Sequence, residues 1–392
     1  MASSFMLHEH GNAAFVAAAA QAAGIPVIAG NAAAPLGRFV RVDVARHSRL
    51  RASTEAGCLG WLDVAPGDRA FGAALIAALA VPDDAPAAAA PDSIALNRLA
   101  ERVGARDVTV LINGPTGTGK EGLARRIHQS SPRRDGPLVA VNCAALPEAM
   151  LEALLFGHER GAFTGAQAGS KGLMRAAHGG TLLLDEIAEL PLGCQAKLLR
   201  ALQEREVLAI GATTAARIDV RVVATANRDL VAEVGAGRFR ADLFYRLAVF
   251  PLTTTALAER PADLLPITAL LLLRRAGPTL PWPTEAALAK LASHSWPGNV
   301  RELGNVLERA LVYADGDRID ATHIVFDAAP AAAATPVPLG EQVRAREFEA
   351  IRRTLDDCDG RRIDAAQRLG ISERTLRYKL AAMAPRALET VQ

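Results

Sequence analysis

The heptapeptide Gly114-Pro115-Thr116-Gly117-Thr118-Gly119-Lys120 limits the fold more than any other stretch of this chain. It follows the apolar, β-branched run Val108-Thr109-Val110-Leu111-Ile112, which predicts a strand buried on both faces. It precedes Glu121 to His128, where Leu123 and Ile127 among good helix formers predict a helix. Strand, glycine turn and helix together build a phosphate cradle. Backbone N–H groups converge on the anion, the helix N-terminus adds partial positive charge, and Lys120 reaches the outer phosphates. Glycine is required because a Cβ would hold the backbone away from the phosphate. The general pattern has Ser or Thr after the lysine to hold Mg²⁺, whereas this chain has Glu121. Either the metal is held elsewhere, or the loop belongs to a subgroup in which glutamate is normal.

A second signal agrees with the first. Gly179-Gly180-Thr181-Leu182-Leu183-Leu184-Asp185-Glu186 is a buried strand that delivers two adjacent carboxylates to its C-terminal end, the edge where ligands sit in parallel sheets. Asp185 is placed to hold Mg²⁺ through water, and Glu186 to polarise the water that attacks a γ-phosphate. A third run, Arg221-Val222-Val223-Ala224-Thr225-Ala226-Asn227, ends in an asparagine suited to sensing the γ-phosphate or orienting water. Arg240 and Arg246 lie six apart in Phe239-Arg240-Ala241-Asp242-Leu243-Phe244-Tyr245-Arg246-Leu247. On an ideal helix that spacing does not share a face, so both reach one phosphate only if the helix ends or bends between them. One of them is expected to act as an arginine finger on a neighbouring subunit.

With 392 residues, the chain is long enough for two or three domains. Residues 1–81 alternate short strands (Pro26-Val27-Ile28, Phe39 to Val44, Gly60 to Val64) with a helix from Phe71 to Ala80, which predicts a small α/β domain. That domain has no acidic pair after a first strand, which argues against a phosphorylatable receiver and for a degenerate regulatory or oligomerisation domain. Ala13 to Ala23 is only weakly apolar and lacks a basic start, so it is not read as a signal peptide, and His8-Glu9-His10 reads as a solvated tail. Residues 82–91 and 328–340 are linkers by composition. Between them, 92–327 alternates strands and helices and then, from about 258, becomes helical only. No stretch approaches the ~20 apolar residues of a membrane span. Four scattered cysteines and a net charge of +2 fit a reducing cytoplasm and leave any nucleic-acid site to a local basic patch.

Residues 92–327 resemble the AAA+ domain of NtrC-type, sigma-54-dependent transcription activators. The phosphate loop of that family carries glutamate after the lysine, as Gly114 to Glu121 does here. The most specific match is Gly161-Ala162-Phe163-Thr164-Gly165-Ala166, a glycine-flanked loop with an exposed Phe and Thr. Such a tip calls for a partner, and the resemblance implies sigma-54. The resemblance further implies that Asn142 is a switch pairing with Glu186, that Arg240 and Arg246 act in trans, and that Arg301, in Trp296-Pro297-Gly298-Asn299-Val300-Arg301-Glu302-Leu303, is the lid arginine that reads the nucleotide. Two departures are Pro115 for a commoner Glu, and Thr253-Thr254-Thr255 for a proline-rich stretch.

Residues 341–392 close the chain. Small Ala365 and Ala366 permit a tight helix crossing, Gly370 makes the turn and Ser372 is placed to cap a second helix. Arg374, Thr375, Arg377, Tyr378 and Lys379 then form the outer face of a recognition helix for a major groove. The segment resembles the Fis-type helix-turn-helix of the same activators. The whole sequence thus predicts an α/β AAA+ ATPase with a helical lid. Its implied partners are ATP, Mg²⁺, sigma-54 RNA polymerase, double-stranded enhancer DNA, further copies of itself up to a hexameric ring, and a regulatory protein. The run Gly179 to Arg205 and the short N-terminus are most similar to flagellar regulators of alphaproteobacterial type. The competing readings are an AAA+ protein remodeller without sigma-54 contact, and a DNA-binding repressor with an inactive ATPase fold.

Overall fold

A computed structural model describes residues 14–21, 23–30, 32–81, 86–162, 168–327, 354, 358 and 361–376. The chain forms two units that part after Phe326. The predicted α/β domain opens the first unit. Strands β1 (Val27–Ala29), β2 (Phe39–Val44), β3 (Arg49–Arg51) and β4 (Cys58–Val64) stand in the order β1-β2-β4-β3, followed by helix α1 (Arg69–Ala80). Strand β3, three residues long, escaped the pattern because its outer residues are arginines bound to acids. Arg49 pairs with Asp63, and Arg51 with Asp43 and Asp63. The Asp43 carboxylate also accepts the Trp61 indole N–H at 2.7 Å. These acids serve as ion-pair partners within the sheet.

The long apolar runs of the middle segment lie side by side in one parallel sheet. Strands β5 (Val110–Asn113), β6 (Leu138–Asn142), β7 (Thr181–Asp185), β8 (Arg221–Ala226) and β9 (Phe250–Thr253) take the order β9-β5-β8-β7-β6. Every residue of β8 is buried, as are Val110 to Ile112, because helices cover both faces. Helices α2 (Pro91–Gly104) and α3 (Lys120–Gln129) pack together on one face, with Val103, Leu123 and Ile127 in that core. Helices α4 (Glu148–Phe156), α5 (Leu192–Glu204) and α6 (Ala241–Leu247) share a second core with β7. Burial pushes the thiols of Cys143 and Cys194 up to about 12 and about 11, and all four cysteines are free.

The lid consists of α7 (Leu264–Ala276), α8 (Glu285–Ala292) and α9 (Asn299–Tyr313). It is not helical only: Trp282–Pro283 pairs in parallel with Arg318–Ile319. Of the predicted linker 82–91, the last residues are packed against the fold. Ala87 and Ala90 are buried, Pro91 is already the first residue of α2, and the Ala89 and Ala90 N–H groups each donate to Asp263 at 2.6 Å. Alanine-rich composition here supplies small residues for close packing instead of slack.

The first domain and the lid are joined by one hydrophobic core. Val40, Leu62, Phe71, Leu75 and Ile76 belong to the same buried cluster as Leu270, Leu272, Trp282, Leu303 and Leu307. Phe71 meets Trp282 edge-on, with ring centroids 5.2 Å apart. At the rim Arg318 grips Asp68 through Nη1 and Nη2, at 2.6 and 3.1 Å. Burial alone would raise the Asp68 carboxyl, but the bonds from Arg318 and Ser48 outweigh it and hold the carboxyl below its usual range.

In the second unit, α10 (Arg362–Arg368) buries Ala365 and Ala366 against Cys358 and Leu376. Gly370 turns the chain at φ +67°, and Ser372 Oγ accepts the Thr375 N–H at 3.1 Å, the predicted cap. Residues 8–10 and 377–379 lie outside the described residues.

Two outcomes follow from this packing. Phe71→Ala should cost about 3–5 kcal/mol, and denaturant unfolding followed by circular dichroism should show first domain and lid lost together. A lid as resistant to proteolysis as before would mean that the two fold separately. His128, buried beside Arg221 with Nδ1 2.9 Å from Thr181 Oγ1, is held below its ordinary value of 6.5 by burial first and then by that arginine. As pH falls through 6.5 the unfolded chain takes up a proton that the folded histidine refuses, so stability falls. His128→Gln should remove that part of the acid slope in thermal melts taken between pH 5 and pH 8, a window of about 1.5 units either side of 6.5.

Candidate nucleotide site

A loop that turns its N–H groups inward to hold an anion turns its carbonyls outward, and each needs a donor. All six carbonyls from Gly114 to Gly119 have one. Lys120 Nζ donates to Gly114 O at 2.7 Å and to Pro115 O at 2.9 Å, and Thr118 Oγ1 also reaches Pro115 O. Three consecutive carbonyls are held by residues that follow the sheet. Asn299 Nδ2 donates to Thr116 O at 2.9 Å, Val300 N to Gly117 O at 2.9 Å, and Arg260 Nη2 to Thr118 O at 2.7 Å. Leu123 N closes the set on Gly119 O.

Glycine is obligatory at two of these positions for reasons of space as well as backbone angle. A Cβ on Gly117 (φ +78°) would lie 2.4 Å from Gly298 O, and one on Gly114 (φ +144°) would lie 2.2 Å from Thr254 Oγ1. Thr254, in the stretch noted as a departure, is buried. It bonds Thr118 Oγ1 at 2.7 Å and Asn113 O at 3.2 Å, so it supports the loop from beneath.

The cleft in front of the loop, about 340 Å³, is lined by Thr116, Gly117, Gly119, Lys120, Glu121, Asp185, Glu186 and Arg301. The sheet and lid thus bring most of the predicted nucleotide residues to one place. Burial lowers the Lys120 ammonium below its usual value, the carboxylates of Asp185 and Glu186 oppose that shift, and Arg301 adds to it. Two cations converging on one cleft with carboxylates behind them suit a polyphosphate and its counter-ion. Glu121 lies at the rim, where its carboxylate accepts from Arg125 at 2.7 Å.

The expected switch contact differs. Asn142 Nδ2 faces Asp185 Oδ2 at 3.4 Å, and its Oδ1 accepts the Ala144 N–H, so it is Asp185 and not Glu186 that it approaches. The register of β6 on β7 sets Asn142 directly opposite Asp185, one residue short of the glutamate. Asn227 does not line this cleft but a neighbouring cavity, with Asn113, Gly114 and Pro115, and its buried Oδ1 finds no donor among the described residues.

Arg240 and Arg246 are both exposed. Helix α6 begins between them, so the bar on a shared face does not apply. Arg240 pairs with Asp242 and Arg246 donates to Leu202 O, at 2.8 and 2.9 Å. Of the predicted contact loop, Gly161 and Ala162 are described, whereas Phe163, Thr164, Gly165 and Ala166 lie outside the described residues. Its stem is tightly tied. His158 and Ser170 exchange backbone bonds at 3.0 and 2.8 Å, and Ile210 bonds Gly157 and Glu159. The stem leaves α4, which shares a core with β7, the strand that carries Asp185.

Sequence reading missed Arg260 and Asp263. Asp263 is fully buried and gathers Ala89 N, Ala90 N, Ser93 Oγ and, at 3.6 Å, Arg260 Nη1. The pair ties the entry of α2 to the phosphate loop. Only an Arg-x-x-Asp spacing ahead of an apolar helix hinted at it.

Comparison with known proteins agrees with the geometry. The chain matches the family model of the sigma-54 interaction domain over residues 88–253, an AAA+ ATPase lid domain over 258–338, and the bacterial regulatory protein, Fis family, over 342–383. It is 50% identical over 335 residues to the response regulator protein FleR of Pseudomonas aeruginosa, covering 77% of this chain and 70% of that one. It is 43% identical over 304 residues to the transcriptional regulatory protein FlbD of Caulobacter vibrioides, covering 72% and 67%. NtrX from Brucella abortus, solved in complex with ADP, superposes with a TM-score of 0.56 at 27% identity, over 88% of this chain and 82% of that chain.

Asn299→Ala removes the donor to Thr116 O and the acceptor of Leu257 N. Loss of such bonds is expected to weaken nucleotide binding by roughly three- to tenfold, read by titration with a fluorescent ATP analogue. Unchanged affinity would mean that the loop keeps its shape without the lid.

Proposed function

This chain belongs to the family of sigma-54-dependent transcription activators, and we propose that it binds enhancer DNA and spends ATP hydrolysis on remodelling sigma-54 RNA polymerase into the open promoter complex. It carries a P-loop NTPase domain of AAA+ type and a Fis-type helix-turn-helix. The observation that carries the proposal is the shared core beneath β7 and α4. Leu184 of β7, next to Asp185, lies in one buried cluster with Leu151, Leu155 and Phe156 of α4, the helix from which the stem of the Gly161–Ala166 loop leaves. A change at the phosphates therefore has a direct mechanical route to the loop tip.

In this reading Lys120 and the loop N–H groups bind the triphosphate of ATP, and Arg301 reads it from the lid. Glu186 orients the attacking water. The carboxylate of Asp185 faces the cleft and fits Mg²⁺ held through water; the ion, when bound, offsets charge on the β- and γ-phosphates. Arg240 and Arg246, exposed on one edge, complete the site of a neighbouring subunit, so turnover requires assembly into a ring, a hexamer in this proposal. Dimers of the C-terminal module grip DNA through Arg374, Arg377 and Lys379. The setting is the cytoplasm, where polymerase and chromosome are. Similarity to FleR and FlbD supports flagellar genes as targets, and a regulatory protein acting on residues 1–81 as the input, with no phosphorylation of that domain.

Thr164 belongs to the glycine-flanked loop and not to the phosphate-loop motif, whereas Lys120 lines the cleft. Thr164→Ala is therefore expected to keep ATP hydrolysis within about twofold while abolishing open-complex formation in a reconstituted sigma-54 assay. Lys120→Ala is expected to lose both. Normal activation by the threonine variant would sink the role given to the loop, and wild-type protein inert toward ATP in every assembly state would sink the proposal as a whole.

A further inference from the structure

Behind the carboxylate pair stands a side chain that reaches neither the cleft nor the solvent. Thr225, on β8 beside β7, is fully buried. Its hydroxyl donates a short hydrogen bond to Asp185 Oδ1. The same oxygen accepts the backbone N–H of Glu186 at 3.1 Å. One hydroxyl thus binds the side chain of one acid and the main chain of the next.

Both bonds act where the backbone is under constraint. Glu186 has φ 55° and ψ 48°, the left-handed region that a residue with a Cβ avoids. Such a conformation persists only where its surroundings impose it. Here the peptide on either side of Glu186 is fixed: Thr225 holds its N–H, and Glu189 N holds its carbonyl at 2.9 Å. The left-handed turn is what swings the Glu186 side chain off the line of β7 and into the cleft that it lines with Lys120 and Arg301. Among the described residues, Asp185 is held by Thr225 at Oδ1 and approached by Asn142 at 3.4 Å at its other oxygen, so the threonine is its closer anchor.

The geometry points to Thr225 as a positioning residue for ATP hydrolysis, setting the rotamer of Asp185 and the turn that aims Glu186 at the water. It rests on the ATPase reading above and adds to it a residue that touches neither nucleotide nor solvent. Because Thr225 does not line the cleft, its loss acts on turnover and leaves ATP capture by Lys120 and the loop intact. Misplacing a catalytic group by about 1 Å costs on the order of 100-fold in rate.

The test uses the full-length chain, assembled at the concentration where wild type turns over ATP, with kcat and KM measured for Thr225→Val and Thr225→Ser. Valine keeps the shape and deletes the hydroxyl; serine keeps the hydroxyl and deletes the methyl. Thr225→Val is expected to lower kcat about 10- to 100-fold with KM within about threefold, and Thr225→Ser to restore kcat to within about threefold of wild type. In a Glu186→Gln background the valine substitution should add little, since the group it aims is already disabled. A valine variant within twofold of wild-type kcat overturns the assignment. So does a serine variant as impaired as valine, which would make the methyl's packing the cause. If the valine chain fails to fold, Thr225→Cys, a weaker hydrogen-bonding group of similar size, decides: a lowered kcat at unchanged KM supports the role, and wild-type kcat removes it. Inert wild-type protein would instead count against ATP hydrolysis itself, so the two failures are distinguishable.

Discussion

The outward carbonyls of the phosphate loop are the constraint on which the rest of the molecule depends. Pro115 has no N–H and Gly114 N donates to Ala226 O at 3.2 Å, and all six carbonyls from Gly114 to Gly119 accept hydrogen bonds from the protein. Lys120, Thr118 and Leu123 satisfy three of them from within the motif. The other three are met by Asn299, Val300 and Arg260. The lid is therefore part of the binding loop's own structure, and a lid displaced from these bonds would leave three loop carbonyls without their donors.

The same dependence extends outward. Arg260 is held by Asp263, which also fixes the chain entering α2. The lid in turn has no separate core; it closes its apolar face with the domain of residues 14–81, and Phe71 and Trp282 meet in the middle of that seam. A regulator acting on the first domain would thus act on the lid, and the lid on the carbonyls of Thr116 to Thr118. No phosphate-accepting site is needed for such a route. A domain whose acids are paired with arginines can still pass on force through packing.

At the other side of the cleft the chemistry hangs on strands. The alternation that carries β7 and β8 through two cores also brings Asp185 and Thr225 within bonding distance, while the loop stem is tied to the same body through α4. The strand that carries Asp185 and the helix that precedes the loop stem thus share one core, with the helix-turn-helix module on a separate unit.

The sequence by itself determined whatever is local. A glycine loop between an apolar strand and a helix, an Asp-Glu pair ending another strand, and a glycine turn before a capping serine each have their physical reason within a few residues, and each was found where the sequence placed it. What joins distant stretches was decided only by tertiary structure. Asn299 lies 183 residues from the carbonyl it holds, Arg260 lies 142 from Thr118, and Asp263 lies 174 from Ala89. No periodicity announces such bonds. The alanine-rich segment before α2 looked like slack because composition records residue size but not what the residue packs on. Asn142 was matched to Glu186 by motif, and strand register gave it Asp185 instead. Folding chose these partners because buried polar groups must be satisfied by whatever the fold brings near.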